Sequence, residues 1–240
     1  MADAVRPQFL YYGHATVALR TADGRNVLID PWVEGNPSCP ESLYDLDRLD
    51  AILITHAHAD HMDDAVALAK RYKPKKVVAN YEICAWLGFQ GIENLAPMSL
   101  GGSQKVLGMD VTMVRADHSS GIVDEAGQRI LDGGSAAGYC VRTADGLGFY
   151  HAGDTAVFSD MKLIAELYRP TLGFVPVGDL FTMGPREAAL ACKFLGLRQV
   201  VPIHYGTFPV LTGTPAAFAG EVGALGIDCE VIELAPGGTL

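Results

Sequence analysis

Three histidines and one aspartate lie within six residues, directly after an apolar run. Residues 51–54 read AILI, and the following THAHADH contains His56, His58, Asp60 and His61. Side chains two residues apart in extended backbone point the same way, so His56 and His58 share one side. Imidazole and carboxylate groups are good ligands for zinc, manganese and iron. The cluster therefore predicts a metal site where a buried strand ends.

Such a site needs ligands from elsewhere, and three more polar residues stand where apolar runs stop. His118 lies in RADHSSG, Asp154 in HAGDT and His204 in PIHYG. Residues at strand ends can converge above one sheet edge, so these three complement the cluster. Taken singly, each could equally be a loop or capping residue. Asp60 could likewise cap the helix that is expected to start near Met62.

Other polar residues could support the ligands or contact a substrate. Asp30 in LIDPW ends a strand and is a candidate to orient an imidazole, with a turn-forming role as the alternative. His14 in YGHAT and Ser119 beside His118 are candidates for support or substrate contact. Thr182 precedes a helix, where backbone N–H groups favour an anion, although an ordinary helix cap explains it as well. His151 is expected in the core or behind the ligands.

The elements that must position these residues alternate between strands and helices. No linker rich in Pro or Ser interrupts them, so residues 1–240 are expected to form one domain of sheets covered by helices on their outer faces. Strands are predicted in FLYYG, ATVALRT, RNVLIDPW, AILIT, KKVVAN, VTMVRADHSS, AAGYCVRT, GLGFYHAGDT, TLGFVPVGD, QVVPIHYG and CEVIELAPG. Helices are predicted in MDDAVALAKRY, YEICAWLGF, FSDMKLIAELYR, PREAALACKFLGL and TPAAFAGEVGALG.

Charge and composition narrow the classes of partner. The net charge of −10 disfavours nucleic acid, since the basic stretch KRYKPKK is typical of a helix end and turn rather than a phosphate-binding patch. No apolar run approaches the roughly 18 residues that span a bilayer, and the first residues do not resemble a signal peptide. The five cysteines are odd in number and widely spaced, which predicts reduced thiols and a cytoplasmic protein.

THAHADH resembles the HxHxDH signature of the metallo-β-lactamase superfamily. The pieces GHATV, LIDPW, DHSSG, YHAGDT and PIHYGTFP are similar to the branch of metal-dependent hydrolases related to L-ascorbate-6-phosphate lactonases. The match runs from YYGHATVAL to PIHYG, which is most of the chain. The resemblance implies an α+β fold, a four-layer αββα sandwich with a dinuclear metal site at one edge.

The resemblance also implies a role for each candidate ligand. It assigns His56, His58 and His118 to a first metal, assigns Asp60, His61 and His204 to a second, and places Asp154 between them. The expected cofactors are two divalent cations, zinc first, with manganese or iron left open. Paired cations lower the pKa of a shared water, and the resulting hydroxide attacks a carbonyl or phosphoryl centre. Asp60, His61 and Asp154 are the expected catalytic residues.

The leading hypothesis is a metal-dependent hydrolase of a small ester, lactone or phosphodiester. We expect a small-molecule substrate, with an anionic one left open, and neither nucleic acid nor membrane as partner. A homo-oligomer is also left open. The alternative is a non-catalytic metal-binding or sensory protein of the same fold. Seven nitrogen and oxygen ligands without cysteine favour an open, water-bearing centre over a closed structural site.

Overall fold

The first half of the chain forms a six-stranded mixed sheet. The computed structural model describes residues 7–240. Along the sheet the strands keep their chain order: β1 (Gln8–Gly13), β2 (Thr16–Arg20), β3 (Asn26–Ile29), β4 (Ala51–Leu53), β5 (Lys76–Asn80) and β6 (Leu95–Met98). The first three are antiparallel, and β3 to β6 are parallel. The carboxyl ends of these parallel strands therefore share one edge.

The second half forms a seven-stranded sheet and a small hairpin. The strands are β7 (Ser103–Val106), β8 (Met109–Arg115), the hairpin β9 (Gly121–Asp124) and β10 (Arg129–Asp132), β11 (Ala137–Arg142), β12 (Gly148–His151), β13 (Leu172–Pro176), β14 (Gln199–Ile203) and β15 (Glu230–Val231). The sheet order is β15-β14-β13-β12-β11-β8-β7, and β12 to β15 are parallel. This gives a second set of carboxyl ends that can meet those of the first sheet.

Helices cover the outer face of each sheet. Beside the first sheet lie α1 (Ala59–Met62), α2 (Ala65–Tyr72) and α3 (Tyr81–Phe89), and a single 3-10 turn spans Glu41–Leu43. Beside the second lie α4 (Met161–Tyr168), α5 (Pro185–Leu195) and α6 (Pro215–Ala224). One apolar cluster fills the space between the sheets, and two others join each sheet to its helices. The predicted four-layer αββα sandwich is confirmed.

Continuous apolar runs explain the central strands. All three residues of β4 and all five of β13 are buried, as expected for strands covered on both faces. Phe9 lies between the sheets, with its ring centroid 5.0 Å from those of Phe149 and Phe174. Burial of apolar surface of this kind contributes roughly 25 cal/mol per Å² and holds the two sheets face to face.

The predicted helix near Met62 is wrong in its start and its continuity. The chain forms the single turn α1 from Ala59 and then a separate helix α2 from Ala65. Asp64 lies between them, and its carboxylate accepts hydrogen bonds from the backbone N–H groups of Val33 and Glu34. The break therefore ties the end of the histidine cluster to the loop after β3.

The basic stretch behaves as a helix end. Helix α2 stops at Tyr72, and Lys73 follows in the left-handed region with φ 49°, directly before Pro74. Across residues 7–240, no helix combines the length and the apolar character needed to cross a membrane.

Candidate metal centre

The carboxyl ends of strands from both sheets meet at one edge of the sandwich. His56 and His58 follow β4, Asp154 follows β12 and His204 directly follows β14. The Asp154 carboxylate lies at the centre of the group, with Oδ2 3.1 Å from Nε2 of His204 and 3.9 Å from Nε2 of His56. Nε2 of His118 is 3.6 Å from the same oxygen. The sandwich thus brings distant predicted ligands to one carboxylate.

Three imidazoles form the first of two groups around this carboxylate. His56, His58 and His118 each present a ligand atom, and these atoms lie within 4.8 Å of one another. Nε2 of His56 is 3.0 Å from Nδ1 of His58. This set is the one that the sequence predicts for a first metal.

The second group contains Asp60, His61 and His204, with His14 within the same 4.8 Å limit. Nε2 of His61 is 3.3 Å from Oδ1 of Asp154, and Nε2 of His204 is 3.8 Å from Oδ2 of Asp60. The predicted second set therefore also borders Asp154, with His61 at Oδ1 and His204 at Oδ2. His14, which the sequence places only in support or substrate contact, lies close enough to be a further ligand.

Unpaired buried atoms test whether this arrangement fits metal ions. Nε2 of His61, Oδ1 of Asp154 and Nδ1 of His204 are buried and have no hydrogen-bond partner. Leaving buried polar atoms unpaired costs about 1–3 kcal/mol each, so such groups usually mark an ion or a function. Imidazole nitrogens and carboxylate oxygens without sulfur suit zinc, manganese or iron. The residues present fit divalent cations.

Asp30 supports the second group by holding the ring of His61. Its Oδ2 accepts a hydrogen bond from Nδ1 of His61 at 2.8 Å, which leaves Nε2 of His61 facing Asp154. The backbone N–H and hydroxyl of Thr55 donate to the same carboxylate at 2.8 Å. Asp30 is fully buried and has φ 51°, a conformation that non-glycine residues rarely adopt. The contact is the one expected of a group that orients an imidazole.

His14 links the centre to the loop after β14. Its Nε2 is 3.0 Å from Oδ2 of Asp60, and its Nδ1 is 3.0 Å from the hydroxyl of Thr207. Its carbonyl accepts a hydrogen bond of 2.6 Å from the backbone N–H of His204. The tight turn at Gly13, with φ 102°, leaves no room for a Cβ beside Ser38 and delivers His14 to this position.

Burial and charge act in opposite directions on the side chains of the centre. Burial alone would raise the pKa of Asp154, but His204 and His61 lower it well below its usual range. Burial alone would lower the pKa of His204, whereas Asp154 and Asp60 raise it to about 9. Burial lowers the pKa of His14 to about 4, so its imidazole is neutral at pH 7. Asp154 therefore stays ionised at pH 7, and an anionic carboxylate among imidazoles favours a cation.

Ser119 lies against a predicted ligand. Its hydroxyl is 3.3 Å from Nε2 of His58, and its side chain is exposed. This contact leaves Nδ1 of His58 on the side of His56. Ser119 is thus placed to hold His58, and its contact with a substrate stays a prediction.

Thr182 does not cap the helix that follows it. Helix α5 begins at Pro185 with Gly184 as its N-cap, and the Thr182 hydroxyl is buried without a partner. The carboxylates of Asp179 and Glu187 lie beside Gly184. Negative charge at that helix end disfavours an anion. The structure contradicts the alternative of a cap at Thr182, and contact of Thr182 with a substrate stays a prediction.

Three threonines whose hydroxyls support the centre were not identified from the sequence. Thr55 contacts Nδ1 of His56 at 3.0 Å, and Thr207 contacts His14. Thr155 accepts a hydrogen bond of 2.9 Å from the backbone N–H of Asp117 and so fixes the residue before His118. The available signal is position, since a threonine adjoins both His56 and Asp154.

His151 takes the core role expected of it. It is fully buried, its Nε2 donates to the carbonyl of Ala15 at 3.0 Å, and its Nδ1 accepts from the N–H of Gly153 at 3.2 Å. Both ring nitrogens are therefore occupied away from the centre.

Comparison with known proteins identifies the family. The model of the beta-lactamase superfamily domain matches residues 25–205. A UPF0173 metal-dependent hydrolase from Koribacter versatilis (strain Ellin345) is 47% identical over 229 residues, covering 95% of both chains. Another, from Solibacter usitatus (strain Ellin6076), is 48% identical over 230 residues, covering 96% of this chain and 97% of its own.

This chain belongs to the UPF0173 metal-dependent hydrolase family. The structure of Igni18, a metallo hydrolase from the hyperthermophilic archaeon Ignicoccus hospitalis KIN4/I, matches this UPF0173 chain with a TM-score of 0.86 and 33% identity. The match covers 98% of this chain and 97% of that one. The superfamily expected from THAHADH is confirmed, while the closer relationship to L-ascorbate-6-phosphate lactonases stays a prediction.

Proposed function

We propose that this UPF0173 chain hydrolyses a small ester, lactone or phosphodiester with two divalent cations held at the described edge. The observation that carries the proposal is the position of Asp154 between two groups of side chains. Its Oδ2 lies 3.6 Å from His118 and its Oδ1 lies 3.3 Å from His61, which belong to different groups. A carboxylate in contact with both histidine groups is suited to be shared by a pair of ions.

His56, His58 and His118 would hold one cation, and Asp60, His61 and His204 the other, with Asp154 shared. Two bound cations would supply Lewis acidity and lower the pKa of a water shared between them toward neutrality. Zinc is the first expectation, because imidazole and carboxylate suit it, and manganese and iron are alternatives.

Asp60 is the residue placed to hold a proton or orient a water in this centre. Its side chain is 28% exposed, whereas those of His14 and Asp154 are almost fully buried. Burial alone would raise the pKa of Asp60, but the hydrogen bond from His14 and the nearby imidazoles of His204 and His61 lower it, so the carboxylate stays ionised. An ionised acceptor at the open side of the centre can take a hydrogen bond from an incoming water or substrate.

Access to solvent favours catalysis over a non-catalytic metal site. Closed structural sites shield all ligands, whereas here Asp60 and Ser119 border solvent. The same proposal assigns the protein to the cytoplasm, with five free cysteines as the supporting observation.

The test combines metal analysis with turnover. Protein freed of metal by a chelator and reloaded with zinc or manganese is assayed with bis(p-nitrophenyl) phosphate, p-nitrophenyl acetate and a simple lactone. We expect loaded protein to cleave at least one of the three and Asp154→Asn to lose about 100-fold or more of that rate. Asp228→Asn, an exposed aspartate, is the matched control. Loaded, folded protein that leaves all three probes intact would refute the proposal.

A further inference from the structure

Two loops beside the candidate centre expose four large apolar side chains. Leu180 and Phe181 are 63% and 58% exposed, and Phe208 and Val210 are 36% and 50% exposed. Single exposed apolar residues are ordinary, but a set of them beside a polar centre marks an interaction site. We call these four side chains the apolar rim.

The loops that carry the apolar rim pack on each other and on His204. The carbonyl of Gly178, in the loop after β13, accepts a hydrogen bond of 3.1 Å from the N–H of Gly213, in the loop after β14. A Cβ on Gly178 would lie 2.0 Å from the His204 carbonyl oxygen and 3.4 Å from Cβ of Leu211. Both loops are therefore held directly against a predicted ligand.

Phe208 joins the apolar rim to the centre. Its ring centroid is 5.8 Å from that of His14 and 5.9 Å from that of Trp32. His14 in turn contacts Asp60 at 3.0 Å. A single side chain, that of His14, therefore separates the Phe208 ring from the Asp60 carboxylate.

Backbone strain holds the other end of the apolar rim outward. Asp179 and Leu180 have φ 68° and 59°, and the N–H of Asp179 donates to the carbonyl of Met183 at 3.0 Å. Consecutive left-handed residues other than glycine cost free energy and are kept mainly at functional sites. The turn presents Leu180 and Phe181 to solvent instead of the core.

We infer that the apolar rim binds an alkyl or aryl group of the substrate while the scissile bond lies over Asp60 and Asp154. This inference rests on the proposed function and narrows its substrates to those that carry such a group. A second copy of the chain is a poorer occupant, because stable interfaces bury roughly 800 Å² per partner. Four partly exposed side chains offer on the order of a few hundred Å².

The test measures binding separately from turnover. Zinc-loaded protein is titrated calorimetrically with hexylphosphonate and methylphosphonate, which share a head group and differ in chain length. We expect wild type to bind the hexyl compound about tenfold or more tightly, because each buried methylene contributes to affinity. Phe208→Ala and Phe181→Ser should each reduce the ratio of hexylphosphonate affinity to methylphosphonate affinity below about threefold. Both variants should leave the affinity for methylphosphonate unchanged.

Two variants control for general effects of losing an aromatic ring. Phe208→Leu keeps an apolar side chain beside His14 and should retain the preference. Phe89→Ala removes an exposed phenylalanine at the end of α3, away from the centre, and should match wild type.

The outcomes separate this inference from the proposed function. Equal binding of the two phosphonates by wild type, or a preference that survives both Phe208→Ala and Phe181→Ser, overturns the role of the rim. Light scattering also tests a second copy as the occupant. If Phe181→Ser abolishes self-association but keeps the preference for hexylphosphonate, the rim binds a second copy and the inference is overturned. Tighter binding of hexylphosphonate without cleavage of any probe supports the role of the rim and refutes the proposed hydrolase. Cleavage of a probe without tighter binding of hexylphosphonate supports the proposed hydrolase and refutes the role of the rim.

Discussion

Asp154 is the residue on which the two groups of side chains meet. Its Oδ1 lies nearest His61, and its Oδ2 lies nearest His56, His118 and His204, so the carboxylate borders side chains of both groups. The arrangement depends on the fold, because these side chains follow four different strands, β4, β8, β12 and β14. We therefore expect Asp154 to be required for binding of the second of two cations.

Replacing Asp30 tests whether its carboxylate supports zinc binding through His61. Asp30→Asn removes the charge that accepts the proton of His61 Nδ1, and a partner of this kind typically affects metal affinity 10–100-fold. We expect zinc affinity to fall by that factor while the far-ultraviolet spectrum stays native. Calorimetric zinc titration measures it. Asp50→Asn, a buried aspartate paired with Arg48, is the control, and an equal loss there would contradict the account.

His151 gives a prediction about pH. Burial lowers its pKa, so the folded protein takes up the proton less readily than the unfolded chain with its value near 6.5. Its contribution is therefore fully present above pH 6.5 and is lost as pH falls below it, by at most about 1.4 kcal/mol per pH unit.

The check compares metal-free wild type with His151→Gln by denaturant unfolding between pH 7.5 and 5.5. The variant should lose stability less steeply as the pH falls, since the other histidines are common to both proteins and cancel in the difference. Parallel curves for the two proteins would show that His151 carries no such linkage.

The residues of the centre were predictable because ligand chemistry restricts residue type. Histidine and aspartate at strand ends identified seven side chains that the fold brings together, and Asp30 was identified by its place after a strand. Threonine hydroxyls were not, because threonine serves equally well in turns and strands. The alternative of a helix cap at Thr182 was wrong because the helix starts three residues later, at Pro185.

At the scale of elements, long apolar runs specified strands well and short polar ones did not. Strands β6, β7, β9 and β10 were not predicted, since LAPM contains a proline and SQKV, GIVD and RILD are short and partly exposed. The split between α1 and α2 was also missed. It depends on the carboxylate of Asp64 bonding to a loop 30 residues earlier, which no local pattern indicates.

Gly153 tests the approach of two elements behind the centre. It has φ 60°, and a Cβ there would lie 2.7 Å from the Ala137 carbonyl and 2.8 Å from Thr55 Cβ. Gly153→Ala should cost more than the roughly 1 kcal/mol expected from positive φ alone, because backbone must move. Gly24→Ala measures the cost of the positive φ alone, since Gly24 has φ 80° and no atom lies within 4 Å of an added Cβ. Equal losses of unfolding free energy would contradict the close approach.

At the scale of the whole molecule, the fold acts by stacking two sheets so that their parallel strand ends face one another. The apolar cluster between the sheets fixes this arrangement, and its residues include Phe9, Phe149 and Phe174. The ligands contribute little to that core, so the sandwich should remain folded when metal is removed. A centre built this way can lose its ions and regain them without refolding.

The central claim is that this sandwich edge binds two cations shared by Asp154. The most direct measurement is a crystal structure of the full chain grown with saturating zinc, with the ions located by anomalous scattering. We predict two peaks roughly 3.5–4 Å apart, each contacted by the Asp154 carboxylate and by its own group of ligands. A single peak, or His118, Asp154 and His204 turned away from the metal, would contradict it.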